Sequence, residues 1–438
     1  MAWCLYIRVE LSDRLNFLFD LKAMKQMMDQ PIGVAQVPTR ASDSPSPWSS
    51  LWGLDPAITF LNHGSFGACP LTVLEKQRSL RSQLESEPVR FFAHELEPLL
   101  DAARLELAAF VQADPEGLAF VPNATTGVNT VLRSLCHPAA DRSLRPGDEL
   151  LTTNQEYNAC RNALNFAAEL SGATIVVAEV PFPIASPEDA IAPLLAKVSS
   201  KTRLVLVDHI TSQTGLIFPL QSLIQQLTSQ GIEVLVDGAH APGMIPLDLQ
   251  ALGATYYSGN CHKWLSAPKG AGFLAINEQG RSQLRPLTIS HGANSPRRDR
   301  SRFHLEFDWT GTADPTAYLC VPEAIRYLGS LLPGGWPALM ADNHLKALTA
   351  RQMLCQTLNI EPPCPETMIG SMATLPLPPG SASNLQTALF DRFHIEIPVI
   401  PWPTENHRMI RLSAQLYNTA KDYDFLAEAL IWLLNQEE

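Results

Sequence analysis

Between residues 118 and 276 the chain repeats one pattern: a short apolar run, a polar turn, then a stretch of helical period. The runs fall at 118–121, 149–153, 174–180, 203–208, 232–236, 255–258 and 272–276, with helical patterns near 127–136, 158–170, 187–198 and 219–229. Strands joined through helices pair side by side, so this alternation predicts an α/β fold, a mostly parallel sheet covered on both faces. Helical patterns at 71–86 and 96–112 precede it. A polar, arginine-rich loop (291–306) follows, then a helical region (315–358) broken by Pro-Gly-Gly at 333–335. Residues 368–438 read strand, helix, strand, strand, helix, a small α+β unit.

The expected organisation is therefore an extension and linker (1–48), a large domain (49–330, its first segment contributing to the smaller unit) and a C-terminal domain (331–438). Residues 31–49 are rich in Pro, Ser and Ala and read as a flexible linker. Residues 1–30 are apolar but interrupted by Arg8, Glu10, Asp13 and Arg14, which makes a poor signal peptide. A peripheral amphipathic segment, or a true start at Met24, Met27 or Met28, accounts for them more simply.

A net charge of −12 with no offsetting basic patch argues against nucleic acid, whose binding depends on phosphate neutralisation by Lys and Arg. The eight cysteines are scattered without a C-x-x-C pair, as expected for free thiols in a reducing compartment. No apolar run is long enough to span a bilayer. A cytoplasmic protein without membrane contact is the expectation.

Chemistry concentrates at the polar ends of the strand runs, where ligands of open α/β sheets sit. Val234-Leu235-Val236 stops at Asp237, and Lys263 lies in Gly-Asn-Cys-His-Lys-Trp before a Pro/Gly-rich turn. A Lys amine can form a Schiff base with an aldehyde cofactor, and a strand-end Asp can keep that cofactor's pyridinium nitrogen protonated. Either residue alone has a plainer reading, as a cap or a surface lysine. Asn123-Ala124-Thr125-Thr126-Gly127, between strand and helix, offers N–H groups and hydroxyls to an anion or simply caps the helix. Tyr157 is placed to stack on a flat ring or to sit half-buried in the core.

Asp208 through Gly215 form a third polar strand end, whose short side chains, Ser212 among them, could bond a ligand. Asp237 and His240 could share a crevice; as a metal pair they lack a second ligand cluster at metal spacing, so no metal is expected. Arg411 interrupts an apolar strand, which is costly unless it is paired. It would serve as a bidentate clamp on a carboxylate or as half of a structural salt bridge.

Taken together, LNHGSFG, NATTGVN, VDGAHAPG, YYSGNCHKWLSAPKG, WTGT and RLSAQLYNT occur in an order that resembles the class V aminotransferase family of fold-type I pyridoxal-phosphate (PLP) enzymes. The isopenicillin-N-epimerase-like branch is the nearest match, from about Leu61 to the C-terminus. The resemblance implies a large domain with a mixed, mostly parallel seven-stranded sheet. It implies that Lys263 forms the internal aldimine and moves the proton, that Asp237 pairs with the ring nitrogen, and that His240 and Ser212 lie near the phenolic oxygen. Tyr157 would stack on the ring. Ala124, Thr125, Ser258 and His262 would hold the phosphate, joined by Thr312 from the other subunit of a homodimer. Arg411 would clamp the substrate α-carboxylate, with Asn62 and His63 lining the pocket.

Two departures from the desulfurases of the class stand out. The lysine loop is longer than their Ser-Gly-His-Lys, and residues 401–407 lack the nucleophilic cysteine that one group carries there. The expected activity is epimerase- or aminotransferase-like chemistry at Cα of an α-amino acid. The alternatives are a C–S lyase or desulfurase-like reaction, or a non-catalytic PLP-binding protein.

Overall fold

The protein is described by a computed structural model over residues 37–39, 46–138 and 142–437. The expectations for residues 1–36, and for the linker at 40–45, lie outside these described residues. Twelve strands are described: β1 (Thr59–Phe60), β2 (Leu118–Val121), β3 (Glu149–Thr153), β4 (Thr174–Ala178), β5 (Thr202–Asp208), β6 (Glu233–Gly238), β7 (Tyr256–Asn260), β8 (Gly272–Ile276), β9 (Met372–Leu377), β10 (Ile395–Glu396), β11 (Val399–Pro401) and β12 (Arg408–Ser413).

Seven strands make one sheet in the order β2-β8-β7-β6-β5-β3-β4. β8 runs antiparallel to both its neighbours, and every other pairing is parallel. Helices cover both faces, so the central strands are apolar on both sides: every residue of β6, β7 and β8 is buried. The helix Asn158–Ser171 buries Cys160, Leu164, Ala167 and Ala168. That spacing is the stripe a helix turns toward a sheet. Pairing sets Asp208 directly beside Asp237, and Asp237 beside Ser258.

The C-terminal part builds a second, antiparallel sheet, β11-β12-β9, backed by the helices Gly335–Leu358, Ala382–Phe393 and Ala420–Leu434. β1 pairs in parallel with β10, which ties the start of the large unit to this end of the chain. The expected arginine-rich loop contains a short helix, Arg302–Phe307. Glu306 on it is buried and meets Arg285 and Arg302, a pairing across sequence that the loop's polarity concealed.

Candidate active site

A cavity of about 320 Å³ opens at the carboxyl ends of β5 and β6 and is walled by the helix that begins at Ala124. A larger one, about 470 Å³, lies at the opposite edge of the sheet around Arg142, Glu233 and Asn277. There Arg142 and Glu233 neutralise each other. The smaller cavity instead gathers Asp208, Asp237, His240, His262 and Lys263 with Ala124, Thr125, Tyr157, Ser212, Asn260 and Ser65. Chemical content singles it out.

Lys263 follows β7 on a loop held by backbone contacts to its neighbours. Gly67, with φ +70°, lets a second loop press against it: a Cβ there would lie 2.1 Å from the His262 carbonyl oxygen and 2.8 Å from that of Lys263. Lys263 is half-buried, and its Nζ lies 3.1 Å from His240 Nε2. Burial first, and then the Arg411 charge, bring its pKa down to about 8. Burial likewise pushes His240 well below its usual value, so it is a neutral imidazole. Its Nδ1 is buried without a partner.

Asp237 is 2% exposed. Oδ1 accepts from the Ala239 N–H at 2.9 Å and Oδ2 from the Cys160 thiol at 3.0 Å. Beside it, Asp208 Oδ2 is buried without a partner, and burial drives that carboxyl's pKa well up. Glu156, in the turn before Tyr157, is raised in the same way by burial and then by the Asp237 charge. Ligand atoms of Glu156, Cys160 and Asp237 all lie within 4.8 Å of one another, a grouping the sequence reading did not anticipate. A metal would need the Cys160 thiolate, and burial raises that thiol far above its ordinary value.

At the helix N-terminus, Asn123 Oδ1 accepts from the Thr126 N–H at 2.9 Å, and Asn260 Oδ1 accepts from the Ala124 N–H at 2.8 Å. Thr125 lines the cavity there, opposite His262, whose Nδ1 bonds the Ala271 carbonyl at 2.9 Å. Arg411, on β12, stands directly behind the cavity wall, against two of its serines. It donates to the Ser212 carbonyl, to Ser212 Oγ at 3.3 Å and to Ser65 Oγ at 3.1 Å. Among the described residues no carboxylate pairs with it, although it is 3% exposed. Burial lowers its pKa to about 10, which still leaves it charged at neutral pH.

Several expected site residues sit elsewhere. Ser258 does not line the cavity: its hydroxyl donates to the Ala124 and Phe273 carbonyls, 3.1 Å each, under the closely approaching Gly127. Asn260, two residues on, takes the cavity position. His63 is fully buried, with Nδ1 at 2.7 Å from the Tyr417 hydroxyl and Nε2 at 3.1 Å from the Lys263 carbonyl, so it supports the lysine loop and does not line the pocket. Asn62 donates to Glu396 at 2.9 Å and accepts from Ser65 at 2.5 Å; Ser65 and Phe66 line the cavity in its stead. Thr312 is exposed and outside the cavity wall. Asp208, Glu156, Cys160 and Asn260 were missed as site residues; the first two stood in polar strand ends, which was their available signal.

These groups suit PLP. A half-buried amine, a buried strand-end carboxylate, an imidazole nitrogen without a partner and a helix N-terminus converge on one cavity, matching an aldehyde, a pyridine nitrogen, a phenolic oxygen and a phosphate.

Comparison with known proteins agrees. The Aminotransferase class-V family profile matches residues 67–426. An isopenicillin N epimerase from Amycolatopsis lactamdurans is 36% identical, over 86% of this chain and 95% of its own length. A putative L-cysteine desulfhydrase from rice (Oryza sativa subsp. japonica) is 30% identical, over 85% of this chain and 82% of its own. Among solved structures, the cysteine desulfurase CsdA from Escherichia coli superposes with a TM-score of 0.73 at 20% identity, covering 90% of this chain and all (100%) of its own. The cystine C–S lyase C-DES gives 0.71 at 22%, over 85% and 97%. These two show the shared fold. With the profile spanning most of its length and close relatives spanning nearly all of theirs, the chain belongs to the class V aminotransferase family, whose cofactor is pyridoxal 5'-phosphate.

Proposed function

We propose that this protein is an enzyme acting at Cα of an α-amino acid, epimerase- or aminotransferase-like, with Lys263 as the group that holds the cofactor and moves the Cα proton. The observation that carries the reading is Arg411: a buried guanidinium without a carboxylate partner among the described residues, fastened to two serines of the cavity wall. A substrate carboxylate is the anion such a fork accepts. Bound there, it would leave the Cα substituents facing the lysine.

When bound, PLP supplies a sink for the electrons left at Cα. The protein's part follows from its own groups. With a pKa of about 8, Lys263 has free amine near neutrality and is close to the ideal for a general base. Neutral His240, at 3.1 Å, can accept a hydrogen bond from that amine and keeps it oriented. Asp237 would hold a positive ring nitrogen. Thr125, with Asn260 and His262, would hold the phosphate, and Tyr157 would lie against the ring. A homodimer in which Thr312 reaches the neighbouring subunit's phosphate belongs to the same reading.

A C–S lyase is the second reading, supported by the desulfhydrase relative. Such a reaction needs no acceptor thiol, and residues 401–407 contain none. The test is a panel of L-amino acids, cysteine and cystine included, against wild type, Lys263→Ala and Arg411→Ala. The D-isomer, or a keto acid that keeps the whole side chain with no sulfur released, supports the first reading; sulfide or persulfide, formed together with pyruvate and ammonia, supports the second. Unchanged turnover in Lys263→Ala would refute both.

A further inference from the structure

Beneath the cavity, three elements bring acids and a thiol onto Asp237. Cys160, in the first turn of the helix Asn158–Ser171, is fully buried and donates to Asp237 Oδ2 at 3.0 Å. Glu156, in the turn leading to that helix, is 5% exposed; its Oε2 accepts from Thr152 Oγ1 at 3.2 Å, while Oε1 has no partner. Asp208 stands beside Asp237 in register on β5. From β7 the Tyr257 ring lies on the other face of the sheet, its hydroxyl bonded to His209 Nδ1 at 2.9 Å, and Lys263 approaches Asp237 from the cavity.

We propose that Cys160 is a positioning residue that fixes the Asp237 carboxylate for the ring nitrogen of the cofactor. The inference rests on the reading of Asp237 as partner of that nitrogen.

The physical case has two parts. A carboxylate joined to its strand through two rotatable bonds needs donors on both oxygens to keep one orientation. The Ala239 N–H and the Cys160 thiol are those donors. Three carboxyl groups packed in one dry region cannot all ionise, because like charges at such range repel strongly. Glu156 and Asp208 are the two pushed toward the acid form, and Asp237 is the one with a side-chain or backbone donor on each oxygen. Of the three it is the carboxyl held in one orientation, at the end of β6 where a pyridinium would meet it. Cys160, fully buried as a thiol, cannot serve as a nucleophile or sulfur acceptor.

The experiment compares dissociation constants of PLP and of its 1-deaza analogue, in which a carbon replaces the ring nitrogen. Their ratio isolates what Asp237 does for the nitrogen, and a general packing defect would weaken both ligands alike. Cys160→Ala should weaken PLP about tenfold, the worth of one hydrogen bond to a charged acceptor, and leave the deaza analogue unchanged. Cys160→Ser, which restores a donor, should recover part of the ratio. Glu156→Gln, the neutral isostere, should leave the ratio within about twofold of wild type, since one lost hydrogen bond sets the scale of a real effect. Asp237→Asn should abolish the preference for PLP.

If Asp237→Asn abolishes it while both Cys160 variants match wild type, the positioning role is overturned. A ratio moved as far by Glu156→Gln as by Cys160→Ala would show that any change beside Asp237 has this effect, and would overturn the specific role of Cys160. A ratio untouched by Asp237→Asn would overturn the underlying reading of Asp237 itself.

Discussion

The depressed pKa of Lys263 makes a quantitative prediction. A fall from 10.5 to about 8 multiplies the fraction of free amine at pH 7 roughly 300-fold, and leaves about half of it free at pH 8. The initial rate at which apo protein captures PLP, followed by visible absorbance, should therefore rise with pH and level off with a midpoint near 8. Burial is the larger cause and the Arg411 charge the next. Arg411→Met should thus move the midpoint upward, short of 10.5 because the burial remains. Each unit of rise slows capture at pH 7 about tenfold. A wild-type midpoint above about 10, the range of a solvated lysine, would refute the reasoning. So would an Arg411→Met midpoint at or below that of wild type.

Further expectations concern stability and the lysine loop. Glu156 has a folded-state pKa above its unfolded value of 4.5, so its contribution is full below that value and lost as pH rises. Glu156→Gln should then raise the denaturation midpoint at pH 7 and match wild type below about pH 4, measured by urea unfolding. Gly67→Ala combines a positive φ with backbone contacts under 3 Å, and should cost about 2–4 kcal/mol and impair PLP retention through the displaced lysine loop. Arg408 is 1% exposed, bonding Glu437 at 3.0 Å and the Pro378 carbonyl at 2.8 Å; Arg408→Ala should cost about 2–3 kcal/mol while PLP affinity holds.

What the sequence reveals here follows the range of the interaction involved. The seven strand runs and their polar ends are local patterns, and the sheet strands begin and end within about two residues of the expected positions. Arg411 as an oddity in an apolar strand was equally local. The rival salt-bridge role belongs to Arg408, three residues away on the opposite strand face, and no local pattern says which arginine meets a carboxylate. Ser258 and Asn260 share a face of β7. Their different fates depend on how closely the Gly127 turn covers the strand, a packing distance set across more than a hundred residues. Glu156 read as one polar residue in a turn; only the fold places it against Asp237. His63 is expected in the pocket from the family resemblance, yet two long-range hydrogen bonds take it inward.

The cavity wall also has a schedule. Its loop with Ser65 is held by Ser413 and Tyr417, and Arg411 braces Ser65 and Ser212 from behind, so the enclosure joins an early part of the chain to a late one. On the ribosome, Lys263 emerges about 150 residues ahead of the strand that carries Arg411, roughly 10–30 s at ordinary elongation rates. Until that strand arrives, the lysine loop lacks the clasp that His63 and Tyr417 give it. Acquisition of a cofactor in its finished pocket thus follows synthesis of β12 and the turn after it, and a chain cut short just before Arg411 would lack Arg411, Ser413 and Tyr417 together.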